Sequence, residues 1–267
     1  MFMVRLASSA VILLVTLFVG ISGGNTMFAF VALISAIGMM EFLRMGKIHK
    51  TALAVISYAG LFGLELLLYL KKTEGIPVWL TLYLLCLLIA YVLTFPKFCA
   101  EQVMLAFFGL VYVGWMLSFL YQVRSMEQGA MLVWLIFIAA WGSDTCAYAT
   151  GILIGKHKAF PILSPKKTWE GCAGGVVGAA LLALLYGVVM NRVSSQAAAA
   201  PGFYAITCGC AAVISQLGDL SASALKRNYE IKDYGKLIPG HGGILDRFDS
   251  IIFVAPVVYY FNQFLMK

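Results

Sequence analysis

The chain has 267 residues, of which 62% are hydrophobic and only 12% are charged, and it carries 19 Lys and Arg against 12 Asp and Glu. Soluble globular domains average about 45–50% apolar and about 25% charged residues, so this composition excludes a water-soluble protein and favours a membrane protein. The net charge of +7 suits both the basic cytoplasmic loops of such a protein and an anionic substrate.

Apolar runs bounded by charged or turn residues predict about nine membrane-spanning helices. Their apolarity is continuous rather than alternating, which favours helices over a β-barrel and predicts an all-α polytopic membrane protein. The predicted spans are residues 4–22, 26–44, 51–70, 77–95, 102–121, 130–150, 171–190, 201–218 and 250–266. The first span is expected to be retained, because no clear signal-peptidase site follows it. We divide the chain into an N-terminal region of about five helices, 1–125, and a C-terminal catalytic region, 126–267, with loops at 155–170 and 218–249.

Basic residues predict the orientation of these helices. Fourteen of the 19 Lys and Arg lie at the N-terminus, or in or beside every second gap between spans, and five lie elsewhere. Because cytoplasmic loops are enriched in Lys and Arg, the N-terminus and both catalytic loops are predicted to be cytoplasmic and the C-terminus to lie outside. Residues 218–249 also contain 10 of the 31 charged residues and four of the five Asp. Orientation does not require Asp, so this mixture indicates a site for a metal ion and an anion.

The sixth span and the loop after it form the first candidate site. Asp144 lies within an apolar stretch, where a carboxylate is costly and marks a functional position. Ser164 and Pro165 predict the start of a helix, which would place Lys166 and Lys167 in its first turn. Cations are disfavoured there unless an anion binds, so both lysines are candidate substrate ligands, although an ordinary cytoplasmic loop would explain them too.

Small residues at the start of the seventh span predict close helix packing. Gly171, Gly174, Gly175 and Gly178 form overlapping GxxxG spacings, which let helices approach each other within a protomer or between protomers. Glu65, in the third span, is expected to have a structural role.

The eighth span and its continuation carry a polar pattern with helical spacing. If the helix continues beyond residue 218, one face holds Gln216, Asp219, Ser223, Lys226 and Arg227. A polar stripe on an apolar helix faces protein or a wet cavity rather than lipid. Its carboxylate suits a metal ion and its cations suit phosphates; an internal ion pair that orients the helix is the alternative.

The segment 238–249 combines glycines with carboxylates. Three glycines flank His241 and allow positive φ angles, so backbone N–H groups could approach a phosphate closely. Asp246 and Asp249 share a helical face if the ninth helix has begun, and two such carboxylates suit Mg²⁺. A flexible turn followed by an Asp that stabilises the helix dipole is the alternative.

The segment from Ser223 to Asp249 resembles the signature of the phosphatidate cytidylyltransferase (CDP-diacylglycerol synthase) family. Asp144–Tyr148, Ser164–Gly171 and Gln216–Asp219 also resemble that family, and the matches together cover about a fifth of the chain. The resemblance implies that CTP and phosphatidate react to give CDP-diacylglycerol and pyrophosphate, with one or two Mg²⁺ ions required. It also implies that Asp219 and Asp246 bind metal, with Asp249 and Asp144 nearby, and that the enzyme is a homodimer.

The pattern and the resemblance together give three groups of candidate site residues. The catalytic candidates are Asp219, Lys226, Arg227, His241, Asp246 and Asp249. The substrate-binding candidates are Asp144, Lys166, Lys167, Ser223, Lys232, Gly242, Gly243 and Arg247. The metal-binding candidates are Asp219, Asp246 and Asp249. The substitution Asp246→Asn is expected to abolish turnover while leaving the protein folded.

Two other functions compete with this prediction. A CTP-dependent lipid kinase of the polyprenol type would share the nucleotide and metal sites but would use a lipid hydroxyl. An anion transporter is disfavoured, because transporter sites lie between repeated halves near the membrane midplane and no paired half is evident. The expected partners are CTP, phosphatidate and membrane lipids, with no nucleic acid. Short loops favour a prokaryotic inner membrane as the location.

Overall fold

The computed structural model describes residues 2–193 and 199–265, and the side chains of residues 6–193 and 199–264. Within these residues the chain forms nine long helices and one short β-hairpin. The N-terminal helices are α1 (Phe2–Ser22), α2 (Gly24–Met45), α3 (Ala52–Tyr69), α4 (Ile76–Leu93) and α5 (Ala100–Arg124). The C-terminal helices are α6 (Gly129–Ile154), α7 (Trp169–Val193), α8 (Pro201–Asn228) and α9 (Leu245–Leu265).

These helices coincide with the nine predicted spans, which confirms an all-α polytopic membrane protein. In the described part of the chain, α2 to α8 are long and apolar enough to cross a membrane. The apolar part of α1, Leu6–Ser22, is shorter, and α9 begins with charged residues. Outward-facing apolar side chains suit lipid rather than water: Phe62, Val92 and Leu153 are 71%, 72% and 80% exposed. Lys267, which entered the charge comparison, lies outside the described residues.

The loop between α6 and α7 departs from the prediction. Strands β1 (Lys158–Phe160) and β2 (Ser164–Thr168) pair in an antiparallel hairpin. The predicted helix start at Ser164 is therefore wrong, because α7 begins only at Trp169. Pro165 fixes its φ near a value that an edge strand also accepts, so the pairing of β2 with β1 decides the conformation. Successive side chains of a strand point to opposite sides, and accordingly Lys166 is exposed while Lys167 is half-buried.

Close contact between α6 and α7 depends on the glycines of α7. A Cβ added to Gly178 would lie 2.5 Å from the Cys146 side chain, and one added to Gly171 would lie 2.9 Å from the carbonyl oxygen of Ala147. Cβ contacts this short do not occur without movement of the neighbour. The predicted role of the GxxxG spacings in helix packing is therefore confirmed within the chain.

Helix α9 joins the two regions into which the sequence was divided. It packs against α8 on one side and against α5 on another. The α5 side of this interface includes buried Tyr112 and Phe119, whose rings lie 6.1 Å from Phe253 and 5.0 Å from Tyr259 of α9. The middle of α9 is thus held between the N-terminal and C-terminal helices.

Candidate active site

The polar face of α8 forms as predicted, because the helix continues to Asn228. Near its middle, the Asp219 carboxylate forms an ion pair of 2.6 Å with Lys167 of β2. Two turns further on, Lys226 forms an ion pair of 2.8 Å with Asp246 of α9. Gln216 donates a hydrogen bond of 2.9 Å to the carbonyl oxygen of Cys172 in α7. The stripe therefore faces the hairpin, α7 and α9 and is not directed at lipid.

Asp246 is the most completely bonded carboxylate of this cluster. Its side chain is 1% exposed, and one oxygen accepts the bond from the Lys226 ammonium group. The other oxygen accepts the N–H groups of Tyr234 at 2.8 Å and Gly243 at 2.9 Å. A buried charge is tolerated when it is paired and hydrogen-bonded, and Asp246 meets both conditions. It therefore organises the surrounding backbone whatever ligand it also binds.

Tyr234 fixes the loop before α9 onto α8. Its hydroxyl group donates a hydrogen bond of 3.3 Å to the carbonyl oxygen of Ala222, and its ring centroid lies 5.3 Å from the Lys226 Nζ. Burial, with the nearby charges of Asp249 and Asp246, raises the pKa of Tyr234 above its usual range. The phenol therefore remains protonated and able to donate this bond at neutral pH.

The glycine-rich loop, residues 235–244, contains the turn that the sequence predicts. Gly240 and Gly242 have φ angles of 77° and 86°, a region that favours glycine. The N–H of Ile238 donates to the carbonyl oxygen of Gly242 at 2.9 Å and closes the turn. The N–H of Gly243 is directed at the Asp246 carboxylate, so a phosphate contact by Gly242 and Gly243 stays a prediction.

Glu41 of α2 is a site residue that the sequence analysis did not identify. It is 1% exposed, and its two carboxylate oxygens accept the N–H groups of Ile244 at 3.1 Å and Leu245 at 2.9 Å. The available signal was a single carboxylate near the polar end of an otherwise apolar span. The same signal marks Asp144 in the sixth span.

Helix α1 also reaches the glycine-rich loop, which the sequence did not indicate. Ser8 donates a hydrogen bond of 3.0 Å to the carbonyl oxygen of Pro239. Ser9 is hydrogen-bonded to the His241 Nε2 at 3.1 Å. Two serines in an apolar run carry no recognisable signal, because such residues commonly bond to their own helix.

Two cavities open beside this cluster and share Asp144 of α6. The first has a volume of about 510 Å³ and a basic wall formed by Lys158, Lys166 and Lys167. The second has a volume of about 470 Å³, and its polar lining includes Ser9, His241, Arg247 and Asp249. Because Asp144 lines both, groups bound in the two cavities would meet beside its carboxylate.

Three predicted residues lie at the edge of this arrangement. Ser223 is half-buried on the polar face of α8, whereas Arg227 near the end of that helix and Lys232 in the following segment are exposed to solvent. Their substrate-binding or catalytic roles stay predictions.

Carboxylates from three helices lie close enough to influence one another electrostatically. Asp219 of α8 acts electrostatically on Asp144 of α6 and on Asp249 of α9. In residues 2–193 and 199–265, no three Asp, Glu, His or Cys side chains form a complete coordination set. Mg²⁺ is usually bound by one or two carboxylates, with substrate phosphates and water as the other ligands. The donor set therefore fits a magnesium ion that binds together with a phosphate.

Charged side chains gathered at one end of an apolar helical bundle are typical of an integral membrane enzyme with a polar substrate. The sequence profile of the cytidylyltransferase family matches residues 3–265, and the chain belongs to that family. It is 34% identical to the phosphatidate cytidylyltransferase of Bacillus subtilis (strain 168), over 96% of each chain. It is 32% and 33% identical to the phosphatidate cytidylyltransferases of Staphylococcus haemolyticus and Staphylococcus aureus (strain COL), again over 96% of each chain. These findings bear out the family resemblance.

Proposed function

We propose that this chain transfers the cytidylyl group of CTP to phosphatidate and so forms CDP-diacylglycerol and pyrophosphate. The observation that carries the proposal is the pair of cavities that meet at Asp144: the first is lined by three lysines, and the second by Arg247 beside the carboxylates of Asp246 and Asp249. Two anionic substrates must come together in this reaction, and cationic side chains in both cavities, with carboxylates in the second that could hold a metal ion, suit that requirement. The names of the relatives and their match over 96% of the chain support the same reaction.

The chemistry requires charge neutralisation more than proton removal. An oxygen of the phosphatidate phosphate attacks the α-phosphorus of CTP, a new P–O bond forms, and the bond to the β-phosphate breaks to release pyrophosphate. The second pKa of a phosphate monoester is about 6, so the nucleophile is largely ionised at neutral pH. No general base is needed, and the barrier comes mainly from bringing two polyanions together in line.

The charges of the two cavities suit different substrates. Lys158, Lys166 and Lys167 line the first cavity and suit the more highly charged triphosphate of CTP. Arg247 and His241 line the second cavity and suit the phosphate of the lipid. Within the described residues the Nε of Arg247 is buried without a hydrogen-bond partner, which leaves its planar guanidinium group free to bind a phosphate.

The residues that would hold Mg²⁺ are Asp219, Asp246 and Asp249, with Asp144 beside them. Lysine ammonium groups on Asp219 and Asp246 support this assignment, since both carboxylates already attract a cation. A bound magnesium ion would neutralise negative charge on the phosphates. Asp246 would then both bind metal and hold the backbone of the glycine-rich loop.

The orientation of the enzyme in the membrane is proposed from the distribution of its basic residues. Fourteen Lys and Arg lie on the side of the predicted spans that holds the N-terminus, and five lie on the other side. This difference supports a cytoplasmic N-terminus and active site, with the C-terminus outside a prokaryotic inner membrane. Homodimer formation is proposed from the family resemblance alone.

The test of the reaction follows the radioactive phosphorus of labelled CTP. Purified protein in detergent is supplied with phosphatidate and Mg²⁺, and with CTP labelled at either the α or the γ position. Cytidylyl transfer moves the α label into a chloroform-soluble product and releases the γ label as pyrophosphate. In a parallel reaction with a polyprenol in place of phosphatidate, a lipid kinase would move the γ label into lipid and leave the α label in CDP, and that result would overturn the proposal.

Matched variants separate the site from the scaffold. Asp219→Asn should abolish incorporation of the α label, because it removes a carboxylate that pairs with Lys167 and acts electrostatically on Asp144. Glu101→Gln, at an exposed position in the first turn of α5, should leave incorporation unchanged. Equal activity of the two variants would exclude the proposed role of Asp219.

A further inference from the structure

The N-terminus of α9 is capped by a side chain from another helix. The first N–H groups of a helix have no partner inside that helix and need an acceptor. Here Ile244 and Leu245 donate to the two oxygens of Glu41, which lies 203 and 204 residues earlier in the chain. A negative charge at a helix N-terminus is also favoured by the helix dipole. Glu41 thus fixes where α9 begins and how its first turn is oriented.

Two carboxylates accept hydrogen bonds from three successive backbone N–H groups at the start of α9. Gly243 donates to Asp246, whereas Ile244 and Leu245 donate to Glu41. Leu245 directly precedes Asp246, so a shift of the Leu245 backbone would also displace the Asp246 carboxylate. The position of a predicted metal ligand therefore depends on a residue of α2.

Two glycines of the loop are explained by Glu41 and not by backbone conformation. A Cβ added to Gly235 or to Gly243 would approach the Glu41 carboxylate to less than 3.0 Å, a distance that real Cβ atoms essentially never show. Neither glycine has a φ in the left-handed region, in contrast to Gly240 and Gly242. A larger residue at either position would therefore have to displace the Glu41 carboxylate from its two backbone hydrogen bonds.

We infer that Glu41 is a positioning residue for the reaction, which holds the glycine-rich loop and the start of α9 so that Asp246 lies where the chemistry needs it. The inference rests on the proposed function for its kinetic readout. Glu41 does not line either cavity, so it acts through the loop and not on the substrate.

The first test compares Glu41→Gln with Glu65→Gln. Glu65 is the matched control, because it is also a buried carboxylate, 6% exposed, but lines a separate apolar cavity between α2 and α3. The glutamine at position 41 would offer one acceptor oxygen to two N–H donors. We expect its kcat to fall about 10- to 100-fold, since small misplacements of reacting groups have effects of that size. The KM for CTP should change little, and Glu65→Gln should keep wild-type kcat.

A steric rescue distinguishes positioning from general stability. Gly235→Ala alone should lower kcat, because all three nearest atoms to its added Cβ belong to Glu41. Adding Glu41→Asp shortens the opposing side chain by one methylene group and should restore part of the activity. If Glu41→Asp makes Gly235→Ala worse or leaves it unchanged, the packing argument fails.

Hydrogen exchange provides a readout that does not depend on activity. The amides of residues 244 and 245 should exchange faster in Glu41→Gln than in the wild type, and at the wild-type rate in Glu65→Gln. Unchanged exchange together with full activity of Glu41→Gln would overturn the inference. If the wild type itself forms no CDP-diacylglycerol, the proposed function fails, while the exchange result still decides whether Glu41 holds the loop.

Discussion

Removal of the Asp246 charge should destabilise the protein as well as inactivate it. Asp246 accepts three donors, namely the Lys226 ammonium group and two backbone N–H groups. Asparagine has one acceptor oxygen and would turn an NH₂ group toward some of these donors. Lys226, whose side chain is 13% exposed, would then lose the charge that compensates it. Breaking one side of a buried ion pair costs about 3–5 kcal/mol. These contacts oppose the sequence-based expectation that Asp246→Asn leaves the fold intact.

Thermal unfolding in detergent tests this reasoning through a double-mutant cycle. Asp246→Asn should unfold at a temperature well below that of the wild type. Lys236→Met, which removes an exposed cation from the glycine-rich loop, should change the free energy of unfolding by about 0.5 kcal/mol or less. Combining Asp246→Asn with Lys226→Met removes the uncompensated charge and should recover part of the lost stability. Unfolding of Asp246→Asn at the wild-type temperature would refute the argument, as would additive losses in the double variant.

Three further outcomes are expected. Lys166→Ala should raise the KM for CTP about tenfold, and Arg247→Ala should raise the KM for phosphatidate by a similar factor, since one charged hydrogen bond is worth about 1.5–3 kcal/mol. If steady-state kinetics gave the reversed pattern, each cavity would bind the other substrate. Ser9→Ala should lower kcat only about two- to tenfold, because it removes a single hydrogen bond to His241; a loss above about 100-fold would mean that Ser9 contacts substrate. EDTA should stop turnover without unfolding the protein, and added Mg²⁺ should restore it; turnover that persists in EDTA would contradict the metal role.

The helices and much of the polar site could be predicted because their signals are local or periodic. Nine apolar runs predicted the nine long helices that the described residues form, and the spacing of Asp219 and Lys226 placed both on the face of α8 that carries the ion pairs. The partners of these residues could not be derived from spacing. Lys167 lies 52 residues before Asp219, and their contact depends on how the hairpin folds back over α8.

The errors and omissions have physical causes as well. Ser164 followed by Pro165 suits a helix start and an edge strand equally well, and only the pairing with β1 distinguishes them. Glu41 resembles any carboxylate at the end of a span, because its partners are backbone N–H groups that every sequence contains. The contacts of α1 and α2 with the glycine-rich loop join residues that are more than 200 positions apart in the sequence. Local sequence patterns do not predict contacts over such separations.

The capping of α9 by α2 also sets an order for biosynthesis. The first two helices leave the ribosome long before the glycine-rich loop, yet Glu41 cannot bind its partners until residues 244 and 245 are made. A nascent chain that stops before α9 has the lysines of the hairpin and Asp219 but lacks Asp246, Asp249 and the closed loop. Chains truncated before α9 should therefore be inactive, and a complete site forms only after the start of α9 has been translated.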